Sequence, residues 1–332
     1  MEMYFSLEIS IVLTIIAAAM WGSWMQIVKH LKGYPIEGVV FWLYAFSFVL
    51  VWTVTCAAAP FLLEDGVFSL IVKHRAVTGK ILFAGGMMSL GLFCSLVIIK
   101  SVGLILSTTI SGGVGTLLGL ATSLMEEGMP EGEHVAILLA LTTIVFITAG
   151  FLSAYASKCR DSDRGRKEKT QAVSLKVILL MLLSAILTNG WSIGTAAGTA
   201  ASLPPILTCA CMATGSFLSV LIICAVVFTK KRQWKQVLCI GSTKKPLMLC
   251  AVSAFCHYGG NMISIYSMPA ISATISFLLG KSSNLWTIFW GMAYGEFSGV
   301  SRKTKFVLGT SIVLFLAGIA LLTIYKFGCG EA

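Results

Sequence analysis

Charge is what this sequence has least of. Asp, Glu, Lys and Arg make up 11% of its 332 residues, where a soluble domain carries about 25%. That deficit excludes a surface that faces water on all sides. Catalytic and metal-binding residues are sparse as well. The four histidines (His30, His74, His134, His257) lie in distant segments, so no metal-ligand or catalytic cluster is formed, and no cofactor is expected. The ten cysteines show no paired zinc spacing and mostly sit in apolar stretches (Cys56, Cys94, Cys209, Cys211, Cys224, Cys250, Cys256), where a thiol behaves as a small apolar residue. No Gly-x-x-x-x-Gly-Lys occurs, which removes a phosphate-binding loop. The start, Met1-Glu2-Met3, lacks the positive lead of a cleaved signal peptide, so the first apolar stretch is expected to remain as a helix.

What is present is hydrophobic, at 57% of residues and a mean hydropathy of +0.90. Crossing a bilayer takes roughly 20 apolar residues, and ten such stretches are read: 6–28, 37–59, 79–99, 102–124, 134–156, 174–197, 205–229, 246–268, 270–293 and 306–325. The expected fold is an all-α polytopic membrane protein of ten transmembrane helices.

The basic residues orient it. Of the 24 lysines and arginines, 19 fall in the loops after spans 1, 3, 5, 7 and 9. Four (Lys73, Arg75, Lys80, Lys326) fall on the other side, and Lys281 lies within a span. Short cytoplasmic loops collect positive charge. Both termini are therefore expected outside and the central linker, 157–173, in the cytoplasm, in a multi-pass protein of the cell membrane. The pI of about 9.1 reflects those loops and calls for no nucleic acid.

The halves on either side of the linker, 1–156 and 174–332, resemble each other. Glu127-Gly128 leads into Ala136–Tyr155 with Ala149-Gly150 near its end, and Gly295-Glu296 leads into Phe306–Tyr325 with Ala317-Gly318 placed likewise. Trp21-Gly22-Ser23 in span 1 corresponds loosely to Gly190-Trp191-Ser192 in span 6. Two similar sets of five spans must be inverted across the membrane, because five is odd. Inverted repeats are common in secondary transporters, with the substrate near the midplane between the repeats.

These features resemble the drug/metabolite transporter superfamily, and within it the branch of glucose/ribose porters, rhamnose–proton symporters and bacterial ureide-permease-like proteins. The resemblance rests on Met20-Trp21-Gly22-Ser23-Trp24 followed by Lys29, on Phe41-Trp42-Leu43-Tyr44, on the duplicated pattern of spans 4–5 and 9–10, and on Gly280-Lys281. Gly280-Lys281 is placed like the span-9 lysine of nucleotide-sugar and phosphosugar members. The sequence departs from plant ureide permeases, which carry a nucleotide-like loop where Lys158–Gln171 lies here. It also departs from the small multidrug members, whose span-1 glutamate has no counterpart in Thr14–Met20. The resemblance implies alternating-access transport of a small polar metabolite, a sugar or a ureide, with no enzymatic activity. Export or exchange of anionic sugar derivatives is the variant that Lys281 favours.

Several residues are candidates for the site. A lysine at mid-depth costs at least about 2.5–3.5 kcal/mol to insert and so faces a cavity or a partner. Lys281 is thus read as a substrate cation, a titrating group or one half of an ion pair. No carboxylate sits deep in a span, since Glu8, Glu37, Glu126, Glu127 and Glu296 all lie near span ends. His257 and Asn261 stand one helical turn apart, and His257 is either a titrating group or a packing residue. Trp21, Ser23 and Gln26 combine flat aromatic and small polar groups that suit a sugar or a planar ureide, whereas Trp24, nearer Lys29, reads as an interfacial anchor. Asn189 and Trp191 are the span-6 counterparts. Asn284 and Trp286 follow Lys281, and Trp42 and Tyr44 add aromatic faces in span 2. A coupling proton or cation is compatible with this set, as are a monomer and a homodimer in the bilayer. The alternatives from other classes are an integral membrane lipid-modifying enzyme and a receptor.

Overall fold

The computed structural model describes residues 4–31, 33–102, 104–128, 133–165 and 175–328. It contains helices and no strand among the described residues. The helices are α1 (Leu7–Ser23), extended by a 3-10 segment (Trp24–His30), α2 (Ile36–Leu62), the short α3 (Val67–Lys73), α4 (Arg75–Val102), α5 (Leu104–Glu127) and α6 (Glu133–Asp163). They continue with α7 (Leu175–Thr188), α8 (Gly190–Ala200), α9 (Pro205–Lys231), α10 (Trp234–Val237), α11 (Lys245–Ile271), α12 (Ala273–Gly280), α13 (Ser283–Ala293) and α14 (Arg302–Gly328).

Among the described residues, eight helical stretches are long and apolar enough to cross a membrane, and they coincide with eight of the ten predicted spans. This makes the chain a multi-pass α-helical membrane protein. Large apolar side chains point outward, with Phe61 87% and Phe306 76% exposed, an arrangement that suits hydrocarbon and not water. Of the other two predicted spans, span 9 differs from expectation. Span 4 falls on α5, whose described apolar stretch is Gly113–Met125. Span 9 is not one helix: it divides into α12 and α13 at Lys281-Ser282. There the amides of Lys281 and Ser282 donate to the carbonyls of Leu278 and Leu279 at 3.0 Å, a tight turn in place of α-helical bonding. Helix α6 runs on to Asp163, into the expected linker, and residues 166–173 of that linker lie outside the described residues.

Small residues let the helices approach closely. Gly85 of α4 packs on the backbone of Met212 in α9, and Gly215 of α9 returns the contact onto the backbone of Leu82. The Ser216 hydroxyl ties the same pair by donating to Gly85 O at 2.8 Å. On the far side of the bundle, Gly318 of α14 abuts the Phe146 ring of α6, and Ser311 donates to Ala149 O at 2.8 Å. Two apolar cores result. One gathers Leu43 and Tyr44 of α2, Ile81 of α4, Leu207 and Met212 of α9, and Tyr258 of α11. The other gathers Phe146 of α6, Leu278 of α12, Leu285 of α13 and Phe315 of α14. Helix α1 joins the second core through Ile11, and the 3-10 segment that extends it joins the first through Trp24.

Candidate functional site

The site forms where α1, α2, α8 and α11 converge. Helix α11 carries His257-Tyr258-Gly259-Gly260-Asn261, and a four-residue spacing puts His257 and Asn261 on one face. Gly260 admits the Trp21 indole, since a Cβ there would stand 2.8 Å from Trp21 Nε1. The indole N–H donates to Asn261 Oδ1 at 2.8 Å and lies 3.3 Å from His257 O. Gly280 of α12 bounds the same ring, as its Cβ would lie 2.8 Å from Trp21 Cζ3. Trp191 of α8 meets Trp21 edge to face, with ring centres 6.3 Å apart.

Aromatic rings also surround His257. Trp24 lies 5.1 Å from it and Tyr44 lies 5.9 Å away, nearly perpendicular. Tyr44 further contacts Tyr258 at 6.3 Å, and the Tyr258 hydroxyl is bonded to Ser216 at 3.0 Å. Trp24 is 9% exposed, so it packs inside the bundle and not at the surface expected of an interfacial anchor.

The polar atoms of this cluster have little to bond to. Tyr44 Oη, Ser47 Oγ, both ring nitrogens of His257 and Asn261 Nδ2 are buried and have no hydrogen-bond partner in the protein. Ser47 follows Tyr44 by three residues and shares its helix face. Burying such a group unpaired costs about 1–3 kcal/mol, and native proteins pair nearly all of them. The cluster thus groups donors, acceptors and aromatic faces inside the bundle. Among the described residues, no three His, Cys, Asp or Glu side chains are arranged to hold a metal ion.

The structure thus brings together Trp21, Tyr44, Trp191, His257 and Asn261. The other predicted residues stand apart. Ser23 faces α13, accepting from Trp290 Nε1 at 2.7 Å. Gln26, in the 3-10 segment, is 5% exposed with an unpartnered Oε1. Asn189 donates to Thr122 Oγ1 of α5 at 2.7 Å, and Trp286 packs beside Gly22 and Phe289. Asn284 is exposed, because the turn at Lys281 rotates the start of α13 relative to α12. The Lys281 ammonium sits 4.1 Å above the Phe277 ring, and among the described residues no carboxylate forms an ion pair with it. Sequence reasoning missed Ser47; its three-residue spacing from Tyr44 was the available signal.

No family model matches the chain and no curated protein matches it. Among solved structures, one described only as "Crystal structure of protein" is similar over 96% of this chain and 97% of its own, with a TM-score of 0.58 and 12% identity. At that identity the likeness concerns the fold alone.

Proposed function

We propose that this protein is a secondary transporter of a small, uncharged polar metabolite, a sugar or a ureide-like compound, and not an enzyme. The observation that carries the reading is the group of unpartnered buried polar atoms on Tyr44, Ser47, His257 and Asn261, walled by Trp21 and Trp24. A transporter must desolvate its substrate, and such atoms replace the water the substrate leaves behind.

Ten spans in two inverted sets of five, as in the drug/metabolite transporter superfamily, fit the pattern of helix contacts. With α7–α8 taken as span 6 and α12–α13 as span 9, span 1 packs on span 8 as span 3 packs on span 6. Span 3 packs on span 7 as span 2 packs on span 8, and span 4 touches span 6 as span 9 touches span 1. Spans 2 and 7, 4 and 9, and 5 and 10 pair with each other. Exchanging the halves maps this set onto itself. One residue separates α4 from α5, and one residue separates α11 from α12. Trp21 and Trp191, which correspond in the two halves, meet between them. Rocking of the halves about that contact is the proposed alternating-access motion.

The basic loops gather at one end of the bundle, where Lys231 pairs with Glu37 at 2.9 Å and Arg160 with Glu296 at 2.7 Å. This fits a cytoplasmic linker and external termini in the cell membrane. A second reading, exchange of an anionic metabolite, is favoured by Lys281, a cation at a helix turn within the bundle. Flux of labelled neutral sugars, ureides and sugar phosphates into proteoliposomes tests both. Uptake of a neutral compound that fails in Asn261→Leu supports the first reading. Uptake of anions alone, lost in Lys281→Met, supports the second, and no flux of any kind refutes transport.

A further inference from the structure

At the end of the bundle that carries the linker, Glu296 lies in the turn between α13 and α14 and is the meeting point of three elements. One carboxylate oxygen accepts from Arg160 Nη1 of α6 at 2.7 Å, and the other accepts from Lys29 of the 3-10 segment after α1. Arg160 is held in place by Asp161, whose Oδ1 accepts from its Nε at 3.0 Å, and by the Phe297 ring 5.3 Å below its guanidinium. Lys29 sits 5.2 Å above the Tyr294 ring, and His30 is 3.2 Å from the Tyr294 hydroxyl. Arg164 reaches the carbonyl of Gly295 at 3.1 Å.

Isolated surface ion pairs contribute little, but networks and well-placed arginine–carboxylate contacts are the exception. The Arg160 side chain is only 15% exposed, so water screens this pair weakly. The elements it joins belong to different packing units. The 3-10 segment rests on α11 and starts with Trp24 of the first core, whereas α6 packs along α14 in the second. By contrast, the nearby Lys231–Glu37 pair joins α9 to α2, which share the first core.

From this geometry we infer that Lys29, Arg160 and Glu296 form a clasp that fastens the two packing units together at the linker end and opens as a unit. Its service as a gate rests on the transport reading; the clasp itself does not. Hydrogen–deuterium exchange of the full chain in lipid nanodiscs tests it, comparing the parent protein with Glu296→Gln, Arg160→Gln and Lys231→Gln. The first two variants are expected to speed amide exchange in segments 24–31 and 294–301 roughly tenfold, the factor equivalent to about 1.4 kcal/mol. Segment 201–205 at the other end, and all these segments in Lys231→Gln, are expected to keep the parent rates. Unchanged exchange in both clasp variants would overturn the inference. So would an equal rise in every helix, which would make Glu296 a general stabilising contact. These outcomes do not depend on flux, so a failed clasp and a failed transport reading are told apart.

Discussion

At the linker end of the bundle, carboxylates are matched: Glu296 takes Arg160 and Lys29, Glu37 takes Lys231, and Asp163 accepts from Ser301 N at 2.9 Å and Thr304 Oγ1 at 2.7 Å. In the middle, where hydrocarbon surrounds the protein and each unpaired polar atom is most costly, Tyr44, Ser47, His257 and Asn261 leave five such atoms without a partner. Stability alone would arrange the two regions the other way round, with unmatched groups near water and matched groups at the centre. Buried polar groups that persist unmatched call for an explanation, and in the proposed reading a ligand completes them. The matched carboxylates hold the helices together, and in the proposed reading the unmatched centre awaits a ligand.

Substitutions can break that contrast. The largest effect is expected from Asn261→Leu, which removes both the acceptor of the Trp21 indole and a free donor. Leaving the indole N–H with only the longer contact to His257 O should lower stability by about 1 kcal/mol, and ligand-induced stabilisation should disappear. Chemical denaturation with and without ligand checks both. Tyr258→Phe removes a hydroxyl that is matched by Ser216 and should lower stability by about 1 kcal/mol. Tyr44→Phe removes an unmatched hydroxyl from the same wall. It should leave stability unchanged or raised, while weakening ligand binding about tenfold, equivalent to ~1.4 kcal/mol. A comparison of the two tyrosine variants by thermal unfolding and titration calorimetry sharpens the distinction, since loss of the matched hydroxyl should lower stability and loss of the unmatched one should not. The smallest effect is expected from Lys281→Met, which exchanges a cation stacked on Phe277 for an apolar chain of similar length. Binding of neutral ligands should be unaffected, as measured by the same calorimetry.

The fold was legible in the sequence wherever a long apolar run decides the outcome by itself. Eight spans, their order and the side on which the basic residues gather all follow from hydropathy and loop charge. Span 9 was misread because Ser272 and Gly280-Lys281-Ser282 break the helix without any interruption of apolar composition. Ser272 adopts a positive φ of 73° between α11 and α12 and caps Ile275 with its own hydroxyl. A hydropathy window does not register a backbone turn of that kind. The site was legible in part. Trp21, Tyr44, Trp191, His257 and Asn261 come together as aromatic and amide groups inside spans, but Lys281, singled out by its insertion cost, stacks on Phe277 instead. Ser23 and Asn284 lie away from that cluster, Ser23 against Trp290 of α13 and Asn284 exposed at the start of α13. The clasp was hidden for another reason. Lys29, Arg160 and Glu296 come from three segments far apart in the sequence, and each alone reads as an ordinary charge near a span end.

The central claim, that the unmatched atoms of α2 and α11 await an uncharged ligand, is tested most directly by thermal unfolding of the purified protein against a panel of sugars, ureides, nucleobases and sugar phosphates. A ligand that binds the folded state raises its stability by about 2.7 kcal/mol at a hundred times its Kd. The account predicts that at least one neutral member of the panel does so, and that its effect is lost in Asn261→Leu and retained in Lys281→Met. Stabilisation by anionic members alone, abolished in Lys281→Met and indifferent to Asn261, would contradict it.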